Sequence, residues 1–228
     1  IARKIRCKQG EGADLGNLGN AYYALGETRK AIDYYEQALA ISREIGNRRA
    51  EGAHLCNLGN AYSGLGETRK AIDYHEQALA ISREIEDRRS EGAALGNLGS
   101  TYSDLGEMRK AIDYYGQALA ISREIGDRMN EGENLCNLGK VYADLGEANK
   151  AIDCCDQALG IFQKMEYRRG EGEALFNKSL AQINLGQRQE AIDSAKSALD
   201  IFEQIESPQA EKVRQKLEEW QGSGNQEN

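Results

Sequence analysis

Residues 51–90 read EGAHLCNLGNAYSGLGETRKAIDYHEQALAISREIEDRRS, and the preceding block, 11–50, reads EGADLGNLGNAYYALGETRKAIDYYEQALAISREIGNRRA. The two blocks agree at 32 of 40 positions. The register continues through 91–130, 131–170 and 171–210 without insertion or deletion. A fixed period of this size means stacked supersecondary units in place of one closed core. Residues 1–10, IARKIRCKQG, align with ISREIGNRRA at 41–50 and are read as the tail of a preceding repeat. On that reading the chain opens inside a helix and is a fragment of a longer protein.

Each block carries two helical patterns. In the second block Leu55, Leu58, Tyr62 and Leu65 recur at spacings of three and four, an apolar stripe that predicts a helix from about Arg48 to Leu65. Asn47 precedes it, with Asp87 and Asp127 at the same place later, and all three are good N-caps. Gly66 follows, where a helix end needs a residue that tolerates positive φ. A second helix is predicted from about Glu67 to Ile85, with Ala71, Ile72, Tyr74, Ala78, Leu79, Ile81 and Ile85 on its stripe. The short turn makes the two helices antiparallel neighbours, and Gly59 and Ala71 are small enough for close packing. No segment reads as a strand, so the fold class is all-α. After the fifth block, Ser207-Pro208 begins one more helix over 208–221. Its Val213, Leu217 and Trp220 predict a cap, with Trp220 packed on the fifth repeat; GSGNQEN at 222–228 reads as a disordered tail.

Composition narrows the function. Lys+Arg number 29 against 37 Asp+Glu, a net charge of −8, which argues against a nucleic-acid partner. No apolar run is long enough to cross a bilayer, so no membrane role is expected. The five cysteines do not form a secreted disulfide framework and no signal peptide is visible, which predicts a cytoplasmic protein. His54 and His75 are single substitutions at positions held elsewhere by Asp14 or Tyr35 and have no matching Cys/His partners, so no metal site is expected. Cys154-Cys155 replaces Tyr34-Tyr35 and reads as a packing substitution. LGNLGN lies within a helix after a turn and is no phosphate loop. With no recurring nucleophile–base pair, neither catalysis nor a cofactor is predicted.

Leu55, Leu58-Gly59, Tyr62, Ala71 and Ala78 fall at the spacing of the tetratricopeptide repeat (TPR) signature, and Tyr22, Tyr62, Tyr102 and Tyr142 hold its aromatic position. The chain therefore resembles a TPR protein over 11–210. The long form is similar to the arrays of Pins/LGN-type polarity adaptors and kinesin light chains, and to those attached to prokaryotic signalling ATPases. The resemblance implies a right-handed superhelical solenoid of antiparallel helix pairs with the first helix of each pair on the concave wall. The period of 40 exceeds the usual length of about 34, and the proline that commonly ends the second helix is absent. In the fifth repeat Lys178, Ser179 and Gln182 replace Leu, Gly and Tyr, which predicts looser packing there.

On a helical wheel Arg49, Ala53, Cys56, Asn57, Asn60 and Gly64 lie opposite the apolar stripe. A plain solvated face would be rich in Lys and Glu; this one is small and amide-bearing. Asn57 recurs as Asn17, Asn97, Asn137 and Asn177, with Asn20 and Asn60 one turn on. An amide can pair with both groups of a peptide unit, so such a row would hold an extended chain in a sequence-tolerant way, as an asparagine ladder does in related TPR grooves. The alternative is that the row bridges adjacent repeats. Around it, Arg49 and Arg89 would take acidic ligand groups, Asp104, Glu133, Asp144 and Glu173 basic ones, with Lys140 and Arg169 among them. Phe176 is expected as an apolar anchor, and Cys56 and Cys136 as groove-facing, alkylatable thiols. The function expected is a non-catalytic scaffold for a protein or peptide ligand. The alternatives are a structural solenoid that self-associates end to end through its N-terminal edge, and a regulatory sensor arm of a larger signalling protein.

Overall fold

The computed structural model describes residues 2–222, and side chains from residue 5 onward. Among them are eleven helices and no strand: α1 (Ala2–Ala24), α2 (Thr28–Glu44), α3 (Arg48–Gly64), α4 (Thr68–Glu84), α5 (Arg88–Asp104), α6 (Met108–Glu124), α7 (Arg128–Asp144), α8 (Ala148–Lys164), α9 (Arg168–Asn184), α10 (Arg188–Gln204) and α11 (Gln209–Gly222). The chain divides within α6 into two compact units, 1–121 and 122–228. In the first, α1 packs on α2, α2 on α3, α3 on α4 and α4 on α5. In the second, α7 packs on α8, α8 on α9, α9 on α10 and α10 on α11, and α7 also touches α9. The all-α array of antiparallel helix pairs expected from the periodicity is the fold. Beyond Gly222, which closes α11, the tail lies outside the described residues.

The break expected between residues 1–10 and the first repeat is absent, because α1 runs unbroken from Ala2 to Ala24. Elsewhere the break passes through one residue at positive φ, Gly46 and Gly126 or Glu86, Glu166 and Glu206, and Asn47, Asp87 and Asp127 cap the helix that follows. Arg6 and Cys7 stand at those two places within the continuous α1. The turn after each first helix uses Gly26, Gly66, Gly106, Gly146 and Gly186, all at positive φ.

Each pair closes on one contact. A Cβ on Gly59 would fall 2.4 Å from His75, and one on Gly19, Gly99 or Gly139 would strike Tyr35, Tyr115 or Cys155 at 2.5–2.7 Å. Beside this contact Tyr22–Tyr34, Tyr62–Tyr74 and Tyr102–Tyr114 stack nearly parallel with centroids 5.2–5.3 Å apart, each under a lysine ammonium. The fifth repeat corrects its expected looseness. Ser179 holds the glycine's place and Ala195 that of the opposing ring; both are fully buried, so bulk added on one wall is removed from the other. Gln182 and Ser194, in place of the tyrosine pair, bond at 2.8 Å, and Lys178 reaches Asp156 at 2.6 Å. Trp220 joins Val213, Leu217, Phe176 and Phe202 in one core cluster.

Successive repeats are joined by a buried carboxylate that the sequence reading passed over. Glu51 accepts from Arg43 at 2.9 Å and from Arg48 at 2.6 Å, and Arg48 also donates to Glu84 at 3.0 Å. Glu91 with Arg83 and Arg88, and Glu131 with Arg123 and Arg128, repeat the arrangement. Glu171 keeps Arg168 at 2.7 Å. Burial pushes the Glu91 carboxyl up, but its two arginines outweigh burial and hold it below the usual range. The recurring SREI…RR…EG pattern carried this signal in the sequence.

His75 fills a place that Tyr35 and Tyr115 hold elsewhere, is 1% exposed, and leaves Nδ1 without a partner. Burial lowers its pKa from 6.5 to about 4. Because the folded value lies below the unfolded one, this contribution to stability is complete above about pH 6.5 and lost as pH falls toward 4, in all about 3 kcal/mol. His75→Tyr is expected to remove that loss. Urea denaturation of both proteins at about pH 7.5 and about pH 4.5 measures it, and equal losses in the two would show that the histidine is not the source.

Candidate functional site

The first helices of the first unit are lined by small residues because their neighbours pack close. Gly12 and Gly52 face Ile41 and Ile81 at 3.2–3.3 Å from where a Cβ would stand. Two clefts result. One, of about 370 Å³, lies between α1 and α3 and is bordered by Gly16, Asn17, Asn20, Ser42, His54 and Asn57. The other, of about 210 Å³, lies between α3 and α5 and is bordered by Arg49, Ala53, Cys56, Ile81, Ile85 and Ala94, with Asn57 shared between the two. In the second unit a cleft of about 270 Å³ runs between α7, α9 and α11, with Leu180, Ile183 and Trp220 as its apolar wall and Lys140, Asp144 and Asn177 on its rim.

The expected site residues are therefore not one row of free groups. Asn57 Nδ2 donates to Asn20 Oδ1 at 3.3 Å, Asn97 Nδ2 to Cys56 Sγ at 3.1 Å, and Asn177 Nδ2 to Cys136 Sγ at 3.2 Å. The bridging alternative is thus present in the structure. An amide carries two N–H groups and a carbonyl oxygen, so each bridge leaves hydrogen-bonding capacity over. Asn20 also accepts from the Tyr35 hydroxyl at 2.8 Å, and the Asn60 carbonyl accepts from Tyr23 at 3.4 Å. Arg49 pairs with Asp87 at 3.2 Å and Arg169 with Glu173 at 3.0 Å; both arginines are exposed, so a competing carboxylate can reach them, while their own carboxylates are partly covered. Asn17 and Asn137 are exposed, as are Arg89, Asp104, Lys140 and Asp144. Glu133 is pushed above the usual carboxylate range by burial and by Glu173 and Asp127, against Arg169, and marks an acidic patch in the second unit.

Two expectations are overturned. Phe176 is no groove anchor: it is 5% exposed, packed under α11 with Lys212 above its ring, and the apolar wall is left to Leu180, Ile183 and Trp220. Nor is Cys136 an open thiol, for it is buried, whereas Cys56 is half-buried and borders the α3/α5 cleft. Burial raises both, Cys136 to about 12, against the opposing asparagine hydrogen bonds. Trp220 as a cleft residue was missed, since the cap pattern explains it fully without a second role. Among the described residues no group of three or more His, Cys, Asp or Glu is arranged to hold a metal ion, and no helix is long and apolar enough to cross a membrane.

The sequence pattern of the tetratricopeptide repeat family matches residues 12–84, 70–124, 90–164 and 130–204. No curated protein sequence matches the chain. Several solved structures share its fold. A chain of Podosopora anserina described as a kinesin light chain with nearly identical TPR-like repeats is 20% identical, with 87% of this chain and 97% of that one covered and a TM-score of 0.71. The signal transduction ATPase with numerous domains and a tetratricopeptide repeat sensor from Pyrococcus horikoshii is 23% identical, with 93% of this chain and 33% of that one covered and a TM-score of 0.78. A Rap protein complexed with competence and sporulation factor is 19% identical, with 96% and 65% covered and a TM-score of 0.70.

Thiol labelling checks the burial. In the native protein a maleimide at about pH 7.5 is expected to modify exposed Cys7 promptly and Cys136 and Cys155 at least a hundredfold more slowly, all five reacting alike in guanidinium. Equal native rates at Cys7 and Cys136 would contradict the packing of α7.

Proposed function

Because the chain belongs to the tetratricopeptide repeat family, we propose that it is a non-catalytic interaction scaffold whose first helices hold an extended segment of a partner protein. TPR arrays are typical protein-interaction scaffolds. The observation that carries the finer reading is the pair of adjoining clefts on α1, α3 and α5, floored by glycine and alanine and edged by amides. Small floors let a ligand backbone approach, and the amides match its N–H and C=O groups. The Rap structure, solved with competence and sporulation factor, supports ligand capture by this fold. The ATPase whose sensor is similar supports a place as the sensing arm of a larger protein. A cytoplasmic location goes with either role.

The expected polarity of the ligand follows from the charges. Arg49 favours an acidic residue beside the α3/α5 cleft, and Glu133 with Glu173 favours a basic one on the second unit. Pull-down with the whole chain as bait and mapping of the retained segment tests the reading. Asn57→Ala with Asn97→Ala is expected to lower affinity for that segment at least tenfold, about 1–2 kcal/mol per site, and stability by less than about 1 kcal/mol per site. A sharp loss of stability with unchanged affinity would make the row purely structural.

A second reading rests on the edge of α1. Leu18 is 44% exposed, whereas Leu58 and Leu98 at the same place are fully buried. Such an edge fits end-to-end contact with another copy. Sedimentation of the whole chain between about 5 and 200 μM is expected to show association that Leu18→Lys abolishes; a monomer throughout excludes it.

A further inference from the structure

The two clefts of the first unit are built on the same backbone with different walls. Between α3 and α5 the wall contributed by the later helix is Ala94, beside Ile81 and Ile85, and the cleft is apolar apart from its rim. Between α1 and α3 the same place is held by His54. His54 is 8% exposed, and its Nδ1 is covered and has no hydrogen-bond partner. A buried polar atom left unpaired costs free energy and calls for an explanation.

The chain itself shows how a polar residue is satisfied at this place. Asn134, the counterpart in the second unit, donates to the Asn130 carbonyl at 2.8 Å and to Ser122 Oγ at 3.4 Å. The corresponding groups around His54 are the Ala50 carbonyl and Ser42. Neither takes the imidazole, and Ser42 donates to the Ala38 carbonyl at 2.9 Å. His75 is likewise unpartnered at Nδ1, but it is sealed between α3 and α4 against Gly59 and borders neither cleft. His54 also packs its Cε1–Nδ1 edge on a glycine, Gly16, and differs from His75 in that the rest of its ring stands on the wall of the α1/α3 cleft, so that a ligand there meets the ring at Nε2.

The surroundings define what the cleft accepts. Its lining carries no charged side chain; its polar groups are amides, Ser42 and an imidazole that burial keeps neutral. A carboxylate, ammonium or phosphate would enter without a counter-charge, so a neutral polar group is the better match. A neutral imidazole offers one donor and one acceptor, and a hydroxyl or primary amide can answer either. We propose that the α1/α3 cleft receives an uncharged hydroxyl or amide side chain of the bound segment (Ser, Thr or Asn) hydrogen-bonded to His54, while the α3/α5 cleft receives an aliphatic side chain of the same segment. This rests on the peptide-binding reading and gives it a sequence. The two clefts flank α3 and share Asn57 on their border, so side chains of one extended segment can enter both.

Selection from a random displayed-peptide library with the whole chain as bait tests this. Retained peptides are expected to share a Ser, Thr or Asn position and, at a fixed distance from it, an Ala, Val or Leu position. His54→Ala, which makes the wall that of Ala94, is expected to cut the polar preference at least tenfold and replace it with an aliphatic one. Ala94 and Ala174 show that the fold accepts alanine there. Phosphorylating the selected hydroxyl is expected to weaken binding at least tenfold. Since the chain has two histidines, imidazole ¹⁵N spectra resolve them, and a selected peptide should shift His54 and leave His75 unmoved. Peptides retained with no polar preference, a preference unchanged in His54→Ala, or an unmoved His54 signal would each overturn the inference while leaving peptide binding standing. A library from which nothing is retained would overturn both.

Discussion

Everything in this fold depends on how closely the two helices of a repeat approach. That approach is set where a glycine meets a large side chain of the partner helix, as Gly59 meets His75 and Gly19 meets Tyr35. With a Cβ at the glycine the pair would open, and the stacked tyrosines beside it would separate. The fifth repeat obeys the same constraint with the sizes exchanged, Ser179 against Ala195. The constraint is on the sum of two volumes, which is why interiors tolerate compensated exchanges and resist single ones.

The second dependence is electrostatic. Between repeats the chain places a carboxylate in the seam, Glu51 or Glu91, and brings one arginine from the helix before and one from its own first turn. A buried carboxylate without such partners would be strongly destabilising, so the seam closes in one register. Fixing pair to pair in this way lines up the small residues of successive first helices. The clefts are then a product of close packing rather than of any dedicated loop.

Specificity comes from departures from the repeat. Asparagines common to all five repeats partly serve the fold, since three of them bridge to the preceding first helix. Residues that differ between repeats carry the information: His54 against Ala94, Arg49 on one cleft, and Trp220 on another. Repetition builds the scaffold and substitution writes the preferences on it. The acidic patch at Glu133 and Glu173 belongs to the same layer of detail.

The sequence alone determined the helix pairs, their turns, the caps at Asn47, Asp87 and Asp127 and the packing of Trp220, because these depend on residues near one another in the chain and repeat with it. It also determined that the first helices carry a small, amide-bearing face. It did not determine which members of that face are spoken for. Phe176 and Cys136 lie on the expected side of their helices and are nonetheless buried, because α11 folds over one and α9 packs beside the other. The Glu51 clasp joins residues of three helices, and the unpaired nitrogen of His54 is visible only once Ser42 is known to bond elsewhere. A wheel assigns directions around one axis. Only tertiary structure decides what occupies each direction, because burial and hydrogen-bond pairing are properties of neighbours supplied by other helices.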